Sequence, residues 1–154
     1  MEEIVERARR RVQAHPQFHR VNISISREGR CETWFDQKKI ERALVNLLLN
    51  ACEVAPPDSA KIEVRLREEK ARVEIRIADN GPGIPAAIRD RLFQPFVSYG
   101  KQNGIGLGLA IGQKILQDHG GDASLESTEP GRTVFKLILP IIVSEDGNSG
   151  TGSR

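Results

Sequence analysis

Three short stretches of this chain combine residue types and spacings that can do chemistry. The first is Asn46, Asn50 and Glu53, four and three residues apart. On a helix at ~100° per residue they fall within an arc of roughly 60°. Asn is a mediocre helix former, so two on one stripe ask for a reason. Their amide oxygens are hard donors suited to Mg²⁺, which takes one or two protein oxygens and completes its shell with water and phosphate. The second stretch is Asp79-Asn80-Gly81-Pro82-Gly83-Ile84, at the end of an apolar run. Glycines there permit close backbone approach, and a carboxylate at a strand end can accept a hydrogen bond from an exocyclic amine. The third is Gly104-Ile105-Gly106-Leu107-Gly108-Leu109-Ala110. Glycines entering a helix leave backbone N–H groups and the helix dipole facing an anion. Taken singly, these are also surface asparagines, an ordinary Asp/Asn-Gly turn and a glycine-rich loop. The third stretch is neither a Walker loop, lacking Gly-Lys-Ser/Thr, nor the dinucleotide fingerprint.

The surrounding sequence supplies elements to position them. Glu2–Ala14 reads as a short charged helix, stopped before Pro16, with Arg7, Arg9, Arg10 and Arg11 on a solvated face. Val21, Ile23 and Ile25 alternate as a strand, Glu28-Gly29 turns, and Cys31–Phe35 is expected to return as its hairpin partner. Asp36 caps a helix whose Ile40, Ala43, Leu44, Leu47, Leu48 and Ala51 follow helical spacing. Pro56-Pro57 ends it. The asparagine stripe lies beside that apolar one, at the rim of the core. Ile62/Val64/Leu66 and Val73/Ile75/Ile77 form a hairpin turning at Glu68–Lys70, and Pro85 opens a short helix ending near Phe93. The glycine-rich helix runs to His119 and stops at Gly120-Gly121. Ala123–Ser127 and Thr133–Leu139 pair around Glu129-Pro130-Gly131. This predicts a two-layer α/β sandwich: a mixed, mostly antiparallel sheet covered on one face by about three helices. The expected division is 1–20 as helix and linker, 21–143 as the main domain and 144–154 as a disordered Gly/Ser-rich tail.

Composition narrows the function. The 154 residues suit one domain, with 38% hydrophobic and 29% charged. No apolar run approaches the ~20 residues of a membrane span, and the acidic N-terminus does not resemble a secretory signal. Lys plus Arg is 23 against 21 Asp plus Glu, too balanced to suggest nucleic acid or an anionic membrane. Cys31 and Cys52 have no metal-ligand spacing and fit a reducing compartment.

The order of the three stretches resembles the nucleotide site of the GHKL superfamily: DNA gyrase B, the ninety-kilodalton heat-shock chaperone, histidine kinases and the mismatch-repair MutL ATPases. In detail it is similar to the catalytic domain of bacterial sensor histidine kinases. Asn46–Ala51 looks like the N box, Asp79–Gly83 the first glycine box, Leu92-Phe93-Gln94-Pro95-Phe96 the F box, Gly104–Ala110 the second glycine box and Pro130–Phe135 the closing strand. The resemblance implies a Bergerat fold and the cofactors ATP and Mg²⁺. By it, Asn50 would hold the metal, and Asn46 and Lys101 would serve the phosphoryl group. Asp79 would accept from the adenine amino group, Gly81 and Gly83 would let the backbone close over the base, and Thr133 would reach the adenine edge. Gly104, Gly106 and Gly108 would wall the phosphates and hinge a lid. Phe93 and Phe96 would anchor that lid, with 97–103 its mobile part. Glu53, Ile84, Leu107 and Leu109 complete the implied nucleotide contacts.

The same resemblance implies transfer of the γ-phosphoryl group to a histidine, in the cytoplasm, by a monomeric domain. Its partners would be a histidine-bearing dimerisation domain and a response regulator. Asn46 stands where gyrase and chaperone classes carry a water-activating glutamate, so little ATP hydrolysis is expected. His15, His19 and His119 are followed by Pro16, Arg20 and Gly120. None has the acidic neighbour of a phosphoacceptor, which implies an acceptor on another domain. Alternatives are an anti-sigma-factor type serine kinase or a non-catalytic nucleotide-binding module.

Overall fold

The computed structural model describes residues 1–98 and 107–142. Its elements are α1 (Glu2–Gln13), β1 (Asn22–Glu28), α2 (Gln37–Val54), β2 (Lys61–Glu69), β3 (Arg72–Asp79), a 3-10 turn (Ala86–Arg91), α3 (Gly108–Asp118), β4 (Asp122–Glu129) and β5 (Arg132–Pro140). The strands form one sheet in the order β1-β2-β3-β5-β4. β1 and β2 are parallel, joined by a crossover through α2, and the other three pairings are antiparallel.

Alternation places Ile62, Val64 and Leu66 of β2, Val73, Ile75 and Ile77 of β3, and Phe135, Leu137 and Leu139 of β5 in the core. The helices close that face. α2 starts where the Asp36 carboxylate accepts from Lys39 N at 3.1 Å and stops at Val54, just before Ala55 and the paired prolines. All six of its expected apolar positions are buried. α1 buries Ile4, Val5, Ala8 and Val12 in the same cluster. The helix anticipated as part of a linker thus contributes to the core, while its arginines pair outward, Arg7 with Glu3 and Arg11 with Glu41.

The expected hairpin of β1 with Cys31–Phe35 does not form. The Glu68 carboxylate accepts from both Arg30 N and Cys31 N, at 3.1 and 3.0 Å, and Cys31 takes a φ of 53°. Those amides are therefore spent on a side chain instead of on β1. Thr33 then docks the segment on the C-terminal end of β5, donating to Pro140 O and accepting from Ile142 N. The β2–β3 turn also lies slightly later than expected, with both central residues, Lys70 and Ala71, at positive φ. That is the two-residue turn whose twist matches paired antiparallel strands.

The outer sheet face is charged. Glu74 is buried beneath Arg76 at 2.9 Å, Arg72 at 3.1 Å and Lys136 at 3.6 Å. Burial alone would raise its carboxyl, but the Arg76 hydrogen bond and the charges of Lys136, Arg76 and Arg72 outweigh it and hold the group below the usual range. Its stabilisation is therefore complete above the unfolded-state value and is lost as acid protonates it.

α3 ends in two hydrogen bonds characteristic of a left-handed glycine cap: Gly121 N to Leu116 O at 2.8 Å and Gly120 N to Gln117 O at 3.0 Å. A Cβ on Gly121 would fall far inside van der Waals contact distance of the Ile138 carbonyl oxygen. Gly121→Ala should therefore destabilise the domain by about 3 kcal/mol, through forced displacement of β5 from the cap. Urea unfolding checks this; a loss below about 0.5 kcal/mol would contradict the packing.

Candidate functional site

β3 carries Val73, Ile75 and Ile77 on its inner face and ends in Asp79, whose cross-strand partner on β5 is Thr133. Both are buried, at 3% and 2% exposure. Asp79 Oδ1 accepts from Gly81 N at 2.9 Å. Its Oδ2 is buried and has no hydrogen-bond partner among the described residues. A buried acceptor without a donor is costly, and it marks where a ligand N–H would sit. Burial pushes this carboxyl up to about 6, against the lowering effect of the Gly81 N–H.

The turn after Asp79 is gripped from two sides. A Cβ on Gly81 would lie 2.8 Å from Val54 O, at the end of α2, and one on Gly83 would lie 3.2 Å from the Glu129 carbonyl. Gly83 also has a φ of +92°. Gly131 N donates to Gly81 O at 2.8 Å, binding the β4–β5 turn to the glycine turn. Ile84 N donates to Thr128 Oγ1, which lies 2.9 Å from Thr133 Oγ1. Thr128 was missed by the sequence reading. Its signal is weak: a threonine facing Thr133 across the Glu129-Pro130-Gly131 turn.

The other side of the site is α2 against the start of α3. Gly108 approaches Asn46, with its Cβ position 3.7 Å from Asn46 O. One turn on, Gly112 packs on Leu47. Asn50 is buried at 1% exposure, Asn46 is half-buried and Glu53 is exposed. The three stretches thus converge: α2 touches the Asp79–Gly83 turn through Val54 and the head of α3 through Asn46. Ile84, Leu92 and Leu109 are buried between them and the sheet. Phe93 sits edge-on to Phe135, with ring centroids 6.0 Å apart. Leu107 is half-buried at the head of α3. Phe96, expected to anchor a lid, is 76% exposed with a φ of 69°. Lys101, Gly104 and Gly106 lie outside the described residues, as do the expected mobile segment from 99 and the tail from 143.

Cys52 lies under this site. Its thiol is pushed up to about 12 by burial, then by Glu53 and Asp79, so it acts as a small hydrophobe. Among the described residues there is no cluster of three or more His, Cys, Asp or Glu able to chelate a metal. A buried Asn50, a single amide oxygen donor, fits Mg²⁺ that draws most of its oxygens from a nucleotide and water. The histidines are otherwise engaged. His119 Nδ1 lies 2.8 Å from Ile115 O while Nε2 accepts from Asp36 N, fastening α3 to the start of α2. His15 accepts from Gln17 N, and His19 Nδ1 lies 2.7 Å from Pro16 O.

Residues 35–142 match the model of the histidine kinase-, DNA gyrase B- and HSP90-like ATPases. The chain belongs to this ATPase family. The ATPase domain is 38% identical over 122 residues to the sensory histidine kinase/phosphatase NtrB of Rhodobacter capsulatus, covering 71% of this chain and 34% of that protein. It therefore spans about a third of that relative's length. A mycobacterial sensor histidine kinase, MprB, superimposes with a TM-score of 0.76 at 28% identity, over 91% of this chain and 95% of that one. The histidine kinase ThkA, solved in complex with the response regulator TrrA, gives 0.73 at 25% identity, over 92% and 40%. The expected family and layered architecture are both found.

Asp79 also sets a pH dependence. Its carboxyl is higher in the folded ATPase domain than in the unfolded chain, so the native state holds the extra proton between about pH 4 and 6. This group's contribution to stability therefore rises as pH falls through 6 and is unfavourable at neutrality. Asp79→Asn should stabilise the ligand-free domain at pH 7.5, by on the order of 1–3 kcal/mol, and flatten the stability profile between pH 4 and 6. Thermal melts across pH check this; a variant less stable than wild type at pH 7.5 would contradict the buried charge.

Proposed function

We propose that this chain is the ATP·Mg²⁺-binding catalytic domain of a two-component sensor histidine kinase, and that it passes the γ-phosphoryl group of ATP to a histidine on another domain. The observation that carries the reading is Asp79: a buried carboxylate with one oxygen capped by Gly81 and the other lacking a donor. The amino group of adenine supplies that donor. Thr133, directly across the ladder, reaches the same base edge, and Gly81 and Gly83 let the turn backbone close over it.

The phosphates then lie between α2 and the head of α3. Asn50 would hold Mg²⁺ there, with Asn46 beside it. Bound metal would neutralise charge developing on the transferred phosphoryl oxygens. Phosphoryl transfer depends mainly on positioning and electrostatic stabilisation, so Asn46 can serve without being a base. Lys101 is proposed to reach the terminal phosphate. Hydrolysis without an acceptor is slow on this reading, because Asn46 is an amide and cannot take a proton from water.

The acceptor is a histidine-bearing dimerisation hairpin. None of the three histidines here is free of local partners on a helix face. The onward partner is a response regulator, the class with which ThkA was solved. Among the described residues no helix is long and apolar enough to cross a membrane. We place the domain in the cytoplasm, as a monomer when isolated, without direct contact with membrane or nucleic acid.

Incubation with radiolabelled ATP, Mg²⁺ and purified acceptor hairpins should give a label on the hairpin that is lost in acid and kept in alkali. Acid-stable label would indicate serine or threonine transfer and overturn the histidine assignment. Asp79→Asn should weaken ATP binding roughly ten- to a hundredfold, the range for a hydrogen bond to a charged group. Asn50→Ala should remove the Mg²⁺ dependence of ATP binding while sparing metal-free ADP. Calorimetry reads both, and persistence of the metal dependence would exclude Asn50 as ligand.

A further inference from the structure

Asn80 directly follows the carboxylate just described, at the point where β3 leaves the sheet, and no role above uses it. Its side chain makes two hydrogen bonds to the connection between α2 and β2. Lys61 N donates to Oδ1 at 3.0 Å, and Nδ2 donates to Ser59 O at 2.8 Å. Those two backbone groups flank Ala60. The side-chain amide thereby holds the main chain on both sides of Ala60.

The backbone itself is unable to do so. The last β2–β3 ladder pair is Ile62 with Asp79. Beyond it the chain turns away, with Gly81 N bound to the Asp79 carboxylate and Gly81 O bound to Gly131 N. The Asn80 side chain grips the start of β2 while its main chain leaves the sheet. The connection it grips is held on its other side as well, by Asn22 N donating to Ala60 O at 3.2 Å. Asn80 therefore ties the Asp79–Gly81 turn to a fixed point at the start of β2.

We infer that Asn80 is a positioning residue for base selectivity: its two-point clamp aims the unpartnered oxygen of Asp79. This rests on the reading of Asp79 as the adenine acceptor. With the clamp gone, the end of β3 frays and the carboxylate spreads over several directions. The cost falls on the base and not on the phosphates, which lie against α2 and α3. ATP offers an amino group at that position and GTP a carbonyl. A loosened carboxylate loses attraction for the first and repulsion for the second. A residue that only added stability would scale both affinities alike.

The experiment compares ATP and GTP binding to the full chain, by calorimetry, in wild type, Asn80→Ala and Asn80→Asp. Asn80→Ala should weaken ATP about five- to tenfold, the loss of one ordinary hydrogen bond's worth of aim. It should reduce the ATP-over-GTP preference by at least that factor. Hydrogen exchange at the Lys61 amide should quicken in the same variant. Asn80→Asp keeps an acceptor for Lys61 N but cannot donate to Ser59 O, so it should fall between. It carries the test if the alanine variant does not fold. A preference within twofold of wild type in a folded variant overturns the inference. If wild type prefers ATP, and Asp79→Asn abolishes that preference while both Asn80 variants retain it, the clamp alone is wrong. If wild type shows no preference for ATP, the adenine reading fails and takes the clamp with it.

Discussion

The structure depends on one buried carboxylate at the end of a strand. β3 is the middle strand of five, apolar on its inner face until Asp79. A negative charge at such a depth is unfavourable, and the fold answers only half of its hydrogen-bonding demand, through Gly81 N. The unanswered half is the second carboxylate oxygen, buried and without a donor among the described residues. Stability is given up at this position in a form that a ligand donor can restore, which is the usual relation between binding sites and strain.

Glu74, five residues earlier on the same strand, shows the opposite solution. It is equally buried but faces the outer side of the sheet, where Arg72, Arg76 and Lys136 surround it. Its charged form is favoured, while that of Asp79 is disfavoured. Two carboxylates on one strand thus have stabilities that run in opposite directions with pH. The difference comes from the company each keeps across the sheet, because alternation sends odd and even positions to different environments. Only the carboxylate lacking a cation is suited to receive a neutral donor.

Much of this was legible in the chain. The alternation of β2, β3 and β5, the helical spacing of Ile40 through Ala51, the Asp36 cap and the Gly120-Gly121 stop are local signals, and each element formed where its signal lay. The order of the asparagine stripe and the two glycine stretches pointed to the family. The failures were tertiary. Cys31–Phe35 has the composition of a strand, but Glu68 from β2 claims its first amides and Thr33 fastens it to the end of β5. α1 formed as the charged helix its arginines announce, but local pattern did not show that its Ile4, Val5, Ala8 and Val12 stripe joins the shared core. Local propensity cannot anticipate a partner contributed from dozens of residues away.

The sequence by itself determined which residues could do chemistry and in what order they occur, because residue type, glycine placement and periodicity are properties of short windows. Tertiary structure alone decided that Asp79 has one oxygen satisfied and one waiting, that Thr128 joins Thr133, and that His119 is a fastener between helices. Those facts depend on which groups arrive beside one another when α2 and α3 close over the sheet. Burial and hydrogen-bond satisfaction are set by neighbours in space, and a one-dimensional pattern does not specify them.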